Sequence, residues 1–481
     1  MRGVAVVLAW RVRVTPRRVY AVGALAAVLF GYDLGIIGAA ILFIRRDVPL
    51  TAWQQGAVVG AAVFGAMVGA LGSGPVADRV GRQWMLCAAG VVFTVGALGA
   101  AVASTMPMLV AFRFVLGLAV GIASVLVPVY LAEMAPARDR GVIISLNQYM
   151  IIVGTGLAAA IGYLLGFTGS WRWMLLLGVF PAVVLVVGML TMPDTPRSLI
   201  RRGYPDQARA VLVSLRGDTT LAGREFSDIT ELERQQHDAR TGARLSASWV
   251  RRLLLLGVLL AIFQQLTGIG TMVYVPTILT SFGVSDSSAL LFAFLNGLLN
   301  IATIAVVVQS KIVDRRGRKP ILLAGLVGTA ASLLAIGVAV LFLPAHSTAL
   351  FVIAVAAFVV FTNTFSATWG PVLWVVLAEI FPLAIRGSAM AIVTLFNWLT
   401  AFLVSFTFPG LTALAGAGTI YIAYAVANVV LFPIVWWMLP ETKQRSLESL
   451  EAEFRTSIRH PLVAALPCPP PQTHQRRHDR Q

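Results

Sequence analysis

Charge is scarce in this chain. Only 12% of its 481 residues are Asp, Glu, Lys or Arg, against 58% hydrophobic. Soluble globular chains carry roughly 25% charged residues, so this one is depleted by half. No water-soluble fold of this length could hide so much apolar surface, which leaves the bilayer as the implied solvent. Cysteine is nearly missing: Cys87 stands in an apolar run and Cys468 in a polar tail, which argues against a disulfide framework. The five histidines form no metal-ligand spacing, so no metal site or other cofactor is expected. No Walker-type phosphate loop is present, which argues against direct drive by ATP. Absence of an Asn-x-Ser/Thr acceptor, with short loops, suits a bacterial plasma membrane.

Long apolar runs fill the space these absences leave. A helix needs ~20 residues to cross the hydrocarbon core. Twelve such runs are legible, at about 19–39, 56–77, 84–103, 108–131, 142–166, 172–192, 252–279, 289–312, 320–343, 349–378, 388–408 and 417–438. Basic residues Arg2, Arg11, Arg13, Arg17 and Arg18 precede the first, as in a signal peptide, but the many later runs favour an uncleaved first span. The only long polar segment separates six runs from six. The expected division is therefore 1–193, a first six-helix bundle; 194–250, a linker; 251–440, a second bundle; and 441–481, a tail. Within the linker, Asp206–Arg216 and Ser227–Arg240 read as short amphipathic helices. The Pro-, Arg- and His-rich end of the tail reads as disordered.

The net charge of +16 is a topology signal rather than a nucleic-acid signal. With the N-terminus, linker and tail on one side, that side also holds Arg79, Arg82, Arg138, Arg140, Lys311 to Lys319 and Arg386. Only Arg45, Arg46 and Arg172 fall opposite. By the positive-inside rule the crowded side, with both termini, is cytoplasmic.

An internal repeat is written across the halves. Asp78-Arg79-Val80-Gly81-Arg82 matches Asp314-Arg315-Arg316-Gly317-Arg318; Leu131-Ala132-Glu133 with Arg140-Gly141 matches Leu377-Ala378-Glu379 with Arg386-Gly387; Pro193-Asp194-Thr195 matches Pro440-Glu441-Thr442. The offsets are 236 (78 to 314), 246 (133 to 379) and 247 (193 to 440) residues. Each pair lies six spans apart, an even number, so the two halves share one orientation. Such parallel repeats place the solute site near mid-membrane, between halves that rock against each other.

At these residues the sequence resembles the sugar porter family of the major facilitator superfamily, over roughly residues 20 to 450. Gly74 through Arg82 is similar to the superfamily's loop motif after its second helix. More specific are Pro193-Asp194-Thr195-Pro196-Arg197-Ser198, Gln264-Gln265 with Gly268, the run Trp369-Gly370-Pro371 through Trp374 and Glu379, and Pro440-Glu441-Thr442-Lys443. The resemblance implies an all-α fold of twelve transmembrane helices, carrying a sugar or polyol, with no enzymatic role and no nucleic-acid partner; a monomer is expected.

Asp33, deep in the first span, is costly in lipid and so a functional candidate, and Arg113 is its natural partner. In the family the matching residues couple proton binding to solute movement, so the resemblance implies proton symport. A fixed structural pair in a passive facilitator is the alternative. The amides Gln148, Gln264, Gln265, Asn300 and Asn397 can each donate and accept, as sugar hydroxyls do. Trp374 adds an apolar face and Tyr274 a phenol. Neutral polar groups also hold membrane helices together, which is the bland reading of any one of them. The sequence departs from the family where Gly270 stands for Asn, Thr155 for a second Gln and Val275 for a second Tyr, which points to a smaller or less hydroxylated solute, or to water filling the space. On the cytoplasmic side, the resemblance implies that Asp78, Arg82, Glu133, Arg140, Asp314, Arg318, Glu379 and Arg386 form a charge network clasping the halves while the site faces outward. Gly370-Pro371 is the expected hinge, since Pro removes a backbone donor. Two other readings remain at this level: a solute-sensing receptor, for which the tail is short, and a carrier of an organic acid or aromatic compound.

Overall fold

The computed structural model describes residues 15–136, 140–239, 248–310, 312–381 and 385–443. Among these residues every regular element is a helix. Twelve spans are long and apolar enough to cross a bilayer: Pro16–Asp47, Ala52–Val80, Arg82–Ala101, Met106–Met134, Leu146–Gly166, Trp171–Thr191, Val250–Ser281, Asp286–Ser310, Arg318–Phe342, Thr348–Ile380, Arg386–Ala415 and Ala417–Met438. They are numbered one to twelve below. Helix is the only solution for an unpaired segment in hydrocarbon, because it satisfies every backbone group internally. The sequence places all twelve correctly and trims their ends. The first span starts at Pro16, where a missing N–H costs nothing, and runs on through Arg45 and Arg46. Span two opens with a capping box, in which Thr51 Oγ1 accepts from Gln54 N at 3.3 Å and Gln54 Oε1 accepts from Thr51 N at 2.9 Å.

Three spans are interrupted, where hydropathy alone suggests continuity. Span six divides between Leu176 and Val179. Span seven breaks at Gly268, whose φ of 98° ends one helix before a 3₁₀ turn at Ile269–Tyr274 and a short helix at Val275–Ser281. Span ten breaks at Thr368, with φ −124° and ψ −87°, and resumes at Trp369. Gly370 and Pro371 thus sit in the first turn of the resumed helix, where proline's lack of a donor is harmless.

Contacts repeat with the sequence. Span one packs on five, two on four and three on six; seven packs on eleven, eight on ten and nine on twelve. The halves meet through two against eleven and five against eight, the exchange a two-fold axis requires. Packing is close because side chains vanish at the crossings: a Cβ on Gly31 would lie 1.8 Å from Ile151 O, and one on Gly117 2.0 Å from Ala62 O. Small residues at such crossings are how membrane helices gain van der Waals contact.

The linker forms three helices, Pro196–Arg201, Pro205–Arg216 and Thr219–Ala239, not two. The third begins eight residues before the Ser227 start read from the sequence. Asp218 Oδ1 accepts from Thr220 N at 2.7 Å and Leu221 N at 3.2 Å, an N-cap that offsets the weak propensity of Thr219, Thr220 and Gly223. Those backbone donors hold its carboxyl below the usual carboxylate range. Arg240 and the tail from residue 444 lie outside the described residues.

Candidate functional site

Asp33 and Arg113 are both about 2% exposed and form a direct ion pair through Arg113 Nη1. Fourteen residues separate Asp33 from the end of its helix at Asp47, which places it about 21 Å from that end, well inside a ~30 Å hydrocarbon core. Around it, Tyr32 donates to Met174 O at 2.6 Å, and Thr155 Oγ1 donates to Gly31 O at 3.1 Å. Span one is thereby fixed on both sides, while Arg113 Nε is a buried donor with no partner among the described residues.

Three of the expected amides converge. Gln264 donates to Trp369 O at 3.0 Å, Asn397 donates to Gln264 Oε1 at 2.8 Å, and Gln265 donates to Asn397 Oδ1 at 3.3 Å. They join spans seven, ten and eleven just beside the break at Thr368. Trp369 is held there by its own Nε1, which donates to Leu322 O at 2.9 Å. Trp374, one turn on, is half-buried against the core of the second half. Tyr274 donates to Ser405 O at 2.7 Å and stacks on Phe408, so its phenol is engaged in joining spans seven and eleven. Gln148 is half-buried on span five, and Asn300 on span eight has a buried Oδ1 with no partner among the described residues.

The departures from the family have physical reasons. A Cβ on Gly270 would meet Val404 Cγ1 at 2.9 Å, so span eleven occupies the room an asparagine needs. Thr155 spends its hydroxyl on backbone carbonyls of Gly31 and Ile151. Val275 is buried at the start of a short helix. Sequence reasoning missed a polar group on spans eight and ten: Thr303 donates to Asn363 Oδ1 at 2.7 Å, Asn363 donates to Asn296 Oδ1 at 3.3 Å, and Asn296 donates to Thr362 Oγ1 at 3.1 Å. A signal was available, since Asn296, Asn300 and Thr303 recur at helical spacing.

The charges near the linker are arranged twice over. In the first half Arg82 pairs with Asp78 at 2.9 Å and Glu133 at 3.4 Å, and Thr195 donates to Glu133. In the second, Arg318 pairs with Glu379 at 2.9 Å and Thr442 donates to Glu379 at 2.5 Å. Asp194 accepts from the backbone N–H of Arg82 and Gln83, capping span three; Glu441 accepts from those of Arg318 and Lys319, capping span nine. The residues before these caps, Gly81 and Gly317, have φ of 109° and 93°. Arg386 donates to Phe381 O at 3.1 Å. Arg140 and Asp314 lie in helices, and their side chains fall outside the described residues. The described ion pairs of this network each lie within one half, so here they brace each half rather than span the two.

Contact between halves concentrates at the opposite end. A Cβ on Gly38 would lie 2.5 Å from Val273 O, one on Gly56 1.9 Å from Phe406 O, and one on Gly410 2.4 Å from Trp53. Arg46, ending span one, pairs with Asp286, beginning span eight. Tyr163 and Phe294 stack across spans five and eight, with ring centroids 6.1 Å apart.

Comparison with known proteins agrees with this architecture. Residues 19–454 match the family model described as "Sugar (and other) transporter". A D-xylose transporter of Levilactobacillus brevis is 41% identical over 91% of this chain and 95% of its own length. A galactose-proton symporter of Escherichia coli is 35% identical over 89% of this chain and 92% of its own. Among solved structures, the xylose transporter XylE of E. coli in a partially occluded, inward-open conformation superposes with a TM-score of 0.78 at 29% identity, covering 90% of this chain and 99% of that one. With twelve spans in two like-oriented halves and this match over nearly its whole described length, the chain belongs to the sugar transporter family of the major facilitator superfamily.

Proposed function

We propose that the chain imports a sugar or polyol across a plasma membrane by alternating access, together with a proton, and that its linker side is cytoplasmic. The reading rests above all on the water-excluded Asp33–Arg113 pair at mid-membrane, within a chain of this family. Relatives named for D-xylose, glucose, myo-inositol and galactose-proton transport support a neutral polyol as the solute. Gln264, Gln265 and Asn397 offer hydrogen bonds to its hydroxyls, Trp374 an apolar face, and Gln148 and Asn300 further amides from spans five and eight. Tyr274 supports this wall from behind.

Coupling follows from the ion pair. A guanidinium in contact keeps a buried carboxylate charged, and its withdrawal lets the carboxyl take up a proton. As the halves rock, a shift of span one against span four inside the first half parts the pair and loads Asp33 with a proton, and re-pairing expels it. Moving one charge through 100 mV supplies about 2.3 kcal/mol, and one pH unit about 1.4 kcal/mol, enough to bias such a cycle. In the conformation seen here the halves touch on the far side, which closes the outer entrance and leaves the site to the cytoplasm. The repeated Arg82–Glu133 and Arg318–Glu379 pairs, with Asp78, Arg140, Asp314 and Arg386, then exchange partners across the halves when the site turns outward. The segment at Thr368 to Pro371 is the hinge of span ten.

The test is uptake of labelled D-xylose by proteoliposomes under an imposed acid-outside gradient, in the unaltered protein and in Asp33→Asn. Gradient-driven accumulation that Asp33→Asn loses, with sugar exchange retained, supports symport. Uptake that only equilibrates and is insensitive to an uncoupler defeats it and leaves a facilitator, in which the pair is a structural strut.

A further inference from the structure

Span twelve packs mainly on span nine and supplies none of the amides gathered beside the break in span ten. Its single amide, Asn428, is nonetheless wholly buried. An amide in a membrane interior is costly unless each of its hydrogen-bonding groups is met, and here each is. Asn428 Nδ2 donates to Tyr424 O at 2.7 Å and to Thr267 O at 3.3 Å, and Oδ1 accepts from Thr329 Oγ1 at 2.9 Å. The orientation follows from the chemistry, since only the amide nitrogen can face two carbonyls. Thr329 has carbonyls of its own helix within reach as well, but two oxygens approach to 2.9 Å only with a proton between them.

One of these bonds reaches a place of consequence. Thr267 lies near the middle of span seven, one residue before the break at Gly268. In an unbroken helix Thr267 O would accept from Thr271 N, but Thr271 N donates instead to Gly268 O at 3.0 Å. The break thus frees a carbonyl in mid-membrane, and Asn428 takes it. The carbonyls just before it are met locally, Gln264 O by Thr267 Oγ1 at 2.7 Å and Gln265 O by Gly268 N at 3.1 Å. Of these three, only Thr267 O is held from another span.

Without Asn428, that carbonyl either stays unpaired or recaptures Thr271 N, which straightens span seven through Gly268. Straightening moves the segment from Ile269 to Ser281. Tyr274 in that segment donates to Ser405 O, and Val273 O lies so near span one that a Cβ on Gly38 would come within 2.5 Å of it. The bend therefore keeps this segment seated against spans one and eleven, on the far side of Gln264 and Gln265.

We propose that Asn428 is a positioning residue for solute binding: by holding Thr267 O it keeps span seven bent at Gly268, the form in which the amides of spans seven and eleven hold the sugar. The inference rests on the sugar-carrier reading above. Asn428 does not touch the solute; it sets the fraction of the carrier that is ready to bind.

The experiment compares D-xylose uptake by proteoliposomes of the unaltered protein, Asn428→Leu, Thr329→Val and the double variant, each normalised to folded protein. KM should rise about tenfold in Asn428→Leu with the maximal rate within about twofold, because a carrier that is bent only part of the time binds with an affinity reduced by that fraction. Thr329→Val, which removes one hydroxyl at nearly constant volume, should raise KM about threefold. The double variant should rise no further than Asn428→Leu, since Thr329 acts through Asn428. A lowered melting temperature with KM within about twofold of the parent in both single variants makes Asn428 a strut and overturns the inference, as do fully additive effects. Should Asn428→Leu not fold, Thr329→Val decides by the same criterion. Failure of the carrier reading shows instead in the unaltered protein, which would take up none of D-xylose, D-glucose, D-galactose and myo-inositol.

Discussion

Gly81 and Gly317 occupy equivalent places in the two halves for one steric reason. Each has a backbone conformation open essentially to glycine alone, and each faces the carboxylate that caps the next helix. A Cβ would come within 2.3 Å of Asp194 Oδ2 at the first site and 2.6 Å of Glu441 Oε2 at the second. Alanine at either position should therefore cost about 1–3 kcal/mol in backbone strain alone. Thermal unfolding in detergent should show a lowered midpoint for Gly81→Ala and for Gly317→Ala. No change in either would mean that the turn can relax. The sequence shows both glycines as part of the Asp-Arg-x-Gly-Arg-like repeat, yet their strain is invisible there, because φ depends on where Asp194 and Glu441 arrive from more than a hundred residues away. The same limit applied to the site. Asp33 and Arg113 were legible as a pair because charge in an apolar run stands out. Asn296 and Asn363 were not, because a lone amide in a span is ambiguous until its partner helix is known.

At the scale of elements, hydropathy located all twelve spans but could not see where three of them break. Length and apolarity are sums over a window, whereas a break is a single residue's conformation, as at Gly268 and Thr368. The caps on spans three and nine carry a graded expectation. Asp194 accepts from five donors, namely Arg82 N, Gln83 N, Thr195 N, Ser198 Oγ and Arg202 Nη1. Glu441 accepts from the backbone N–H of Arg318, Lys319 and Lys443. Removing a cap costs about 0.5–2 kcal/mol, and a buried acceptor with more donors leaves more of them unsatisfied. Asp194→Ala should thus lower the melting temperature more than Glu441→Ala. The reverse order would show that the second half depends more on its cap than the bonds suggest.

For the whole molecule, the repeat in the sequence foretold the two-fold exchange of contacts between spans two and eleven and spans five and eight. It did not foretell which end is closed, since both ends of the transport cycle share one sequence. That choice is written in contacts such as Arg46–Asp286, which joins the halves on the far side. The pair is partly exposed, so its worth is at most about 1 kcal/mol. Arg46→Asp alone should shift the resting population toward the outward-facing state by up to about fivefold, read as increased reactivity of a cysteine at the far-side seam, and Asp286→Arg added to it should restore the balance. Unchanged reactivity in the single variant would assign the closure to the glycine crossings instead.

Alternation between the two faces is the central claim, and distances report it directly. Spin labels at Ser214 and Arg316 mark the linker side of each half, and labels at Ser104 and Thr348 mark the far side; all four positions are exposed. Pulsed dipolar spectroscopy on a cysteine-replaced background, with and without saturating D-xylose, should show the two distances changing in opposite directions, one shortening as the other lengthens. Both distances moving together, or neither responding to any transported sugar, would contradict two halves rocking about a mid-membrane site.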